Sequence, residues 1–171
     1  MQERRRVGLT LLQPQPGETI LDAGCGPGGY APAIRAAGAR WIGIDASLGM
    51  LAFGSSEGQV MRGSTNILPV RDGAVSALLG IELADYLQKG PLVSFACEAA
   101  RVLAYGGRAV LSCNASRRGP GFSGLRTGEL GSDPAALQMV LLAAGLTIES
   151  EERLHGGLLS PDTLLFLVRK P

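Results

Sequence analysis

Lysine is nearly missing from this 171-residue chain: Lys89 and Lys170 stand against fourteen arginines among its 16 basic residues. Fifteen acidic residues bring the formal net charge to +1, a balance that calls for neither nucleic acid nor an anionic membrane as partner. Long apolar runs are lacking too. No stretch of about 18 apolar residues offers a membrane span. The first residues hold no signal-peptide core, because Arg4, Arg5 and Arg6 lead into a short mixed segment. Cysteine is scarce and odd in number. Cys25, Cys97 and Cys113 are widely spaced and fit reduced thiols in the cytoplasm better than a disulfide framework or a zinc site. A single histidine, His155, leaves little material for metal binding, and no metal is expected.

What is present is apolar and well mixed. The hydrophobic fraction of 46% against a charged fraction of 18% describes a globular chain, and 171 residues are the length of one domain with one substantial core. We therefore expect a single domain over 1–171, with 1–15 as a short N-terminal helix or extension. The Arg4–Arg6 triplet, the only cationic run, reads as the solvated first turn of that helix.

Short β-branched runs alternate with Ala/Leu-rich stretches, the pattern of an α/β sheet wrapped by helices. Strands are expected at Thr19–Ala23, Arg40–Ile44, Gln59–Arg62, Ala74–Gly80, Arg108–Cys113, Thr147–Arg153 and Thr163–Arg169. Helices should run from the first glycine loop to about Ala37, after Ser47 as N-cap, over Leu92–Leu103, and from Ser132 or Asp133 to Gly145, with Pro134 in the first turn. Residues 114 to 132 are rich in glycine and read as a loop. The linker before the last strand holds Gly156, Gly157 and Pro161 and is too short for a crossover helix, so the last strand should be antiparallel in a mostly parallel seven-stranded sheet. The fold class expected is a Rossmann-like three-layer α/β sandwich.

The chemistry concentrates in Asp22-Ala23-Gly24-Cys25-Gly26-Pro27-Gly28-Gly29, between the first strand and the first helix after it. Glycines there let a ligand approach the backbone. Gly24, Gly26 and Gly29 satisfy the G-x-G-x-x-G pattern, so the glycines alone leave a dinucleotide open. Asp22 argues otherwise: a carboxylate two residues before the first glycine repels a pyrophosphate but attracts the ammonium and sulfonium of S-adenosylmethionine. Asp45, at the end of the second strand, suits the two hydroxyls of a ribose or the cap of the next helix, and fits either cofactor.

Four segments then carry a family resemblance. Asp22-x-Gly24-x-Gly26-x-Gly28 resembles the first motif of class I S-adenosylmethionine-dependent methyltransferases. Gly43-Ile44-Asp45-Ala46-Ser47-Leu48-Gly49-Met50-Leu51 resembles their second, and Gly63-Ser64-Thr65-Asn66-Ile67-Leu68-Pro69 the segment that cradles adenine. Glu98-Ala99-Ala100-Arg101-Val102-Leu103-Ala104-Tyr105-Gly106-Gly107 is similar to the helix and turn leading into the fifth strand. The resemblance implies that Asp22, Gly24, Cys25, Gly26 and Gly28 surround the methionyl part, with Gly80 lending its backbone. It implies Asp45 on the ribose, Ala46 and Met50 beside the adenine, and Ser64 and Thr65 at its polar edge. Two positions depart from the pattern: Ser64 stands where an acid is usual, and Val75-Ser76 where Phe-Asp is usual.

The resemblance further implies a small-molecule methyl acceptor. For the acceptor side, Glu82 after the fourth strand and His155 near the last linker are the candidate bases, with Asp85, Tyr86 and Cys113 nearby in the pattern. Each has a plain reading as well: Glu82 as a helix cap, His155 as a solvated loop histidine, Cys113 as a buried inert thiol, Met50 as core filler. With no inserted lid in the pattern, a second subunit forming a homodimer could complete the pocket. A nicotinamide-dependent oxidoreductase and a cofactor-binding module without catalysis stand as alternatives.

Overall fold

A computed structural model describes residues 2–54, 59–87, 89–115, 133–156 and 162–171. Ser132, most of the 114–132 loop, and Gly157 and Pro161 lie outside these.

The elements, in chain order, are α1 (Gln2–Leu12), β1 (Thr19–Ala23), α2 (Ala31–Ala36), β2 (Arg40–Asp45), α3 (Leu48–Gly54), β3 (Gln59–Arg62) and β4 (Val75–Gly80). A short 3-10 turn (Ala84–Tyr86) follows, then α4 (Lys89–Val102), β5 (Leu103–Ala115), α5 (Pro134–Ala143), β6 (Thr147–Leu154) and β7 (Asp162–Arg169). They build one seven-stranded sheet in the order β3-β2-β1-β4-β5-β7-β6. The first five pair in parallel, and β7 runs antiparallel between β5 and β6. This is the Rossmann-like architecture expected from the alternation of strand and helix patterns.

Alternating residues of the central strands feed two apolar layers. Leu21, Leu78 and Leu111 face α4 and α5, where Phe95, Ala99, Leu137 and Leu141 pack. Ile20, Ala77, Leu79 and Val110 face the other side with Leu12 of α1, Ile34 of α2 and Leu51 of α3. Because both faces are covered, β1 and β4 read as nearly unbroken apolar runs. Their one buried polar residue is Asp22, 2% exposed and one residue from the end of β1.

Local signals hold at the caps. Asp133 accepts from the Ala135 N–H at 3.0 Å, and Ser47 Oγ accepts from the Met50 N–H at 3.3 Å. Two element starts differ from expectation by three residues or more, and several other ends move by one or two. Helix α4 starts before Leu92, with Pro91 inside its first turn, and ends at Val102. Strand β5 begins at Leu103 rather than Arg108, because residues 104 to 107 bulge out opposite Ser76 before pairing resumes at Ala77 and Arg108. Strand order turns between β1 and β4, so the crevice beyond their carboxyl ends is where an open α/β sheet takes its ligand.

Candidate functional site

The loop after β1 passes through Gly24, Gly26 and Gly28 with φ values of 73°, 53° and 75°, a left-handed conformation that any residue with a β-carbon resists. Gly29 is not among the left-handed positions; a β-carbon there would collide with the Arg5 guanidinium.

The loop's amide donors are directed inward. Gly24 and Cys25 N–H both donate to the Ile44 carbonyl (2.7 and 3.0 Å), Gly26 N–H to Asp45 Oδ2 (2.9 Å) and Gly28 N–H to the Cys25 carbonyl (3.0 Å). Four amides that could have cradled a phosphate are thereby committed to the carboxyl end of β2 and to the loop itself. Asp45 Oδ1 also accepts from the Ser47 N–H at 2.8 Å. The helix-capping role and a ribose role are compatible here, since an ionised carboxylate offers about four lone-pair sites.

Asp22 lies beneath this loop. Trp41 Nε1 on β2 donates to its Oδ2 at 3.1 Å. Burial pushes the Asp22 carboxyl up to about 7; the nearby Asp45 charge adds to that, while the Trp41 hydrogen bond and the Arg5 charge oppose it. Burial also pushes the Cys25 and Cys113 thiols up to about 12 each, so neither is a ready nucleophile.

Beyond β2, Ala46 and Met50 are exposed at the start of α3, so Met50 is not core filler. The Gly63 N–H donates to the Asp45 carbonyl at 3.1 Å and carries the next segment past the same edge. There Thr65 is buried and Ser64 is exposed, its Oγ accepting from the Asn66 N–H at 3.2 Å. The Asn66 Oδ1 is buried and has no partner among the described residues. Glu98 and Arg101 of α4 hold this segment: Glu98 Oε2 accepts from the Leu68 N–H (2.6 Å), and Arg101 donates to the carbonyls of Leu68 and Val70 and to Asp72. The fourth resembling segment thus contributes a clamp on the third. Gly80 sits at the end of β4, and a β-carbon there would come within 2.6 Å of Leu111 and 3.1 Å of Phe95.

Glu82 follows β4 in a left-handed conformation (φ 59°), rare for a residue with a side chain. Its N–H is held by Ser112 Oγ at 2.7 Å, and its carboxylate pairs with Arg4 of α1. It caps no helix: the following 3-10 turn has Leu83 at its cap, with no side-chain hydrogen bond there. Next to it, Asp85 Oδ1 accepts from the Asn114 N–H (2.9 Å), its Oδ2 is buried without a partner among the described residues, and burial raises its carboxyl. His155 is 79% exposed beside Asp162 (3.5 Å) at the β6 end of the sheet. Four strand positions separate β6 from β1, roughly 19 Å, so the structure does not bring His155 to the glycine loop.

Sequence reading missed the contribution of α1. Arg4 is not a solvated first-turn residue but the partner of Glu82, and Arg5 lies against Gly29, with its guanidinium 5.8 Å from the centre of the Tyr30 ring. Trp41 was missed as well. The arginine triplet was the available signal for the first; nothing local marks the second. Among the described residues there is no cluster of three or more metal-ligating side chains, and no helix is long and apolar enough to cross a membrane.

A family model for a methyltransferase domain matches residues 20–107, from β1 to the bulge in β5. Proteins named uncharacterized methyltransferases are 34% identical in Mycobacterium ulcerans and 36% in Mycobacterium avium, each over 101 residues covering 56% of this chain and 39% of the relative. The chain therefore spans about two fifths of the length of these relatives. A chain from the complex between the Haloferax volcanii Trm112 methyltransferase activator and a methyltransferase superposes with a TM-score of 0.81 at 20% identity, covering 100% of this chain and 92% of that one. Geranyl diphosphate C-methyltransferase of Streptomyces coelicolor superposes at 0.78 with 18% identity, covering 99% and 77%. The [4+2]-cyclase SpnF gives 0.78 with 20% identity, covering 99% and 82%. Likeness at this level establishes a shared fold.

Proposed function

The chain belongs to the methyltransferase-domain family, and from that premise we propose that it binds S-adenosylmethionine at the carboxyl ends of β1 and β2 and transfers its methyl group to a small-molecule acceptor in the cytoplasm. One observation carries the choice of cofactor: four loop amides are spent on the chain's own carbonyls and Asp45, while two carboxylates, Asp22 and Asp45, flank the loop. A pyrophosphate would meet negative charge with few donors left to hold it. A ligand bearing an ammonium and a sulfonium meets the charge it needs. A β-carbon at Gly26 would find nothing within 4 Å, so the loop presents an open face there for such a ligand.

In this reading Asp22 and the backbone of Gly24 to Gly28 surround the methionyl part, Asp45 receives the ribose hydroxyls, and Met50, Ser64 and Thr65 border the adenine. When bound, the cofactor supplies an electrophilic methyl group on a cationic sulfur. The protein's own share is alignment of the acceptor and removal of a proton where the acceptor carries one. Glu82 is the better-placed acceptor-side carboxylate, because it follows β4 directly, whereas His155 stands at the far edge of the sheet. A small acceptor accords with the near-neutral net charge, which does not call for a polyanion. Cytoplasmic residence accords with three unpaired cysteines.

Isothermal titration tests the reading. S-adenosylmethionine and its demethylated product should bind, and NAD should not. Asp45→Ala should weaken binding by about 1–3 kcal/mol through loss of charge-assisted hydrogen bonds. Binding of NAD, or full affinity in a folded Asp45→Ala variant, would remove the proposal. Labelled-methyl transfer to a panel of small acceptors then separates an enzyme from a module that only binds.

A further inference from the structure

Trp41 is the chain's single tryptophan, and it is 3% exposed in the apolar layer between the sheet and helices α1 to α3. An aliphatic residue would fill such a position without a polar group to satisfy. A buried indole needs a partner for its N–H, and here the partner is Asp22 Oδ2 at 3.1 Å. The ring is held in place from the side. A β-carbon at Gly43 would come within 2.5 and 2.7 Å of two Trp41 ring carbons and 2.7 Å of Cys25 Sγ, so Gly43 is the space into which the ring and the thiol fit. Asp22 pairs across the β1–β2 ladder with this same Gly43. Ring, missing side chain and carboxylate form one unit on one face of the sheet.

Other charged and titratable groups face Asp22 from every side: Asp45 at the end of β2, Arg5 from α1, and Cys25 and Tyr30 from the glycine loop. Asp45 favours the protonated acid and Arg5 the anion. Trp41 is the one whose donor touches the carboxylate, and no second donor reaches it among the described residues.

We infer that Trp41 is a positioning residue: its indole N–H fixes the Asp22 carboxylate in one orientation and favours its anionic form, so that Asp22 can meet the α-ammonium of S-adenosylmethionine. This rests on the reading of the loop as the S-adenosylmethionine site. No bond is made or broken; only the proton on Asp22 is at issue. Asp22 opens the first of the four resembling segments, and none of the four includes residue 41.

Titration calorimetry with S-adenosylmethionine from pH 5.5 to 7.5, where the ligand's α-ammonium largely keeps its proton, tests this on the wild type and Trp41→Phe. Removing the donor should raise the Asp22 midpoint by on the order of one pH unit. Trp41→Phe should then bind about tenfold more weakly at pH 5.5 but only about threefold at pH 7.5. A gap that is constant across pH, or no gap, makes Trp41 mere packing and overturns the inference while leaving the cofactor reading intact. Failure of the wild type to bind S-adenosylmethionine instead sinks the cofactor reading, and this inference with it.

A ligand-free measurement guards against a Trp41→Phe variant that does not fold. Trp41 emission in the wild type should titrate with a midpoint near neutrality, a range in which Cys25 and Tyr30 keep their protons. Asp22→Asn should flatten that titration. An emission curve indifferent to Asp22→Asn would show that the indole and the carboxylate are not coupled.

Discussion

At Gly26 the backbone sits at φ 53° and a β-carbon would meet nothing within 4 Å, whereas at Gly43 a β-carbon would collide with Trp41 and Cys25. Two glycines in one site thus answer to different forces, and substitutions should separate them. Gly26→Ala should lose about 1–2 kcal/mol of stability from its left-handed backbone and, in addition, weaken S-adenosylmethionine binding by placing a methyl group on the open face. Gly43→Ala should lose about 1–3 kcal/mol by overpacking. Urea denaturation reads both losses. Because the second arises from one ring, Trp41→Leu in the Gly43→Ala background should recover part of it, whereas additive losses would place the clash elsewhere. Glu82, which carries a side chain, also has a left-handed backbone, at φ 59°; Ser112 and Arg4 hold it there from two different elements.

Those holding residues bring helix α1 into the site, and α1 is itself fastened by one strand residue. Arg108 of β5 donates to the carbonyls of Leu12 (2.5 Å) and Gln13 (2.8 Å), where the helix ends, and forms a two-pronged pair with Glu18 at 2.7 and 2.8 Å. Planar, two-pronged pairing with both side chains mostly covered is the geometry in which an ion pair contributes. Arg108→Ala should therefore cost about 2–3 kcal/mol in urea denaturation, with Arg108→Lys recovering less than half because an ammonium cannot serve carboxylate and carbonyls together. Equal stability of the wild type and Arg108→Ala would show that α1 docks through its apolar face alone. The same element marks the limit of sequence reading. Strands β1 and β3, the Ser47 and Asp133 caps and the antiparallel β7 were legible because their signals are local: alternation, cap residues, a short linker. The roles of Arg4 and Arg108 were not, since each depends on a partner tens of residues away. The glycine loop was legible as a pattern, yet the direction of its amides became visible only when β2 was placed beside it. The bulge that starts β5 early has the same origin, in pairing with β4.

For the molecule as a whole, two sets of carboxyl groups push stability in opposite directions with pH. Hydrogen bonds from Arg108 and Arg101 hold Glu18 and Glu98 below their ordinary value of 4.5. Each contributes stability that is present above the unfolded value and lost as pH falls through the folded one. Burial raises Asp22 to about 7 and lifts Asp85 above its ordinary 3.8. These groups keep their protons in the folded chain where the unfolded chain has released them, so their contribution falls as pH rises from about 4 towards 7. The acid arm and the neutral arm meet near pH 5, where the ligand-free protein should be most stable, declining by on the order of 2–4 kcal/mol by pH 8. Urea midpoints measured from pH 4 to pH 8 check the shape. Asp22→Asn should flatten most of the neutral arm and raise stability at pH 8, while Glu18→Gln should lower stability at neutral pH and flatten the acid arm. A ligand supplying an ammonium to Asp22 would make the buried anion favourable, so saturating S-adenosylmethionine should stabilise the wild type more at pH 7 than at pH 5.5, and Asp22→Asn about equally at both. Stability that climbs steadily from pH 4 to pH 8, or a neutral arm that survives in Asp22→Asn, would mean that the carboxylate beneath the glycine loop is not the group that sets this protein's response to pH.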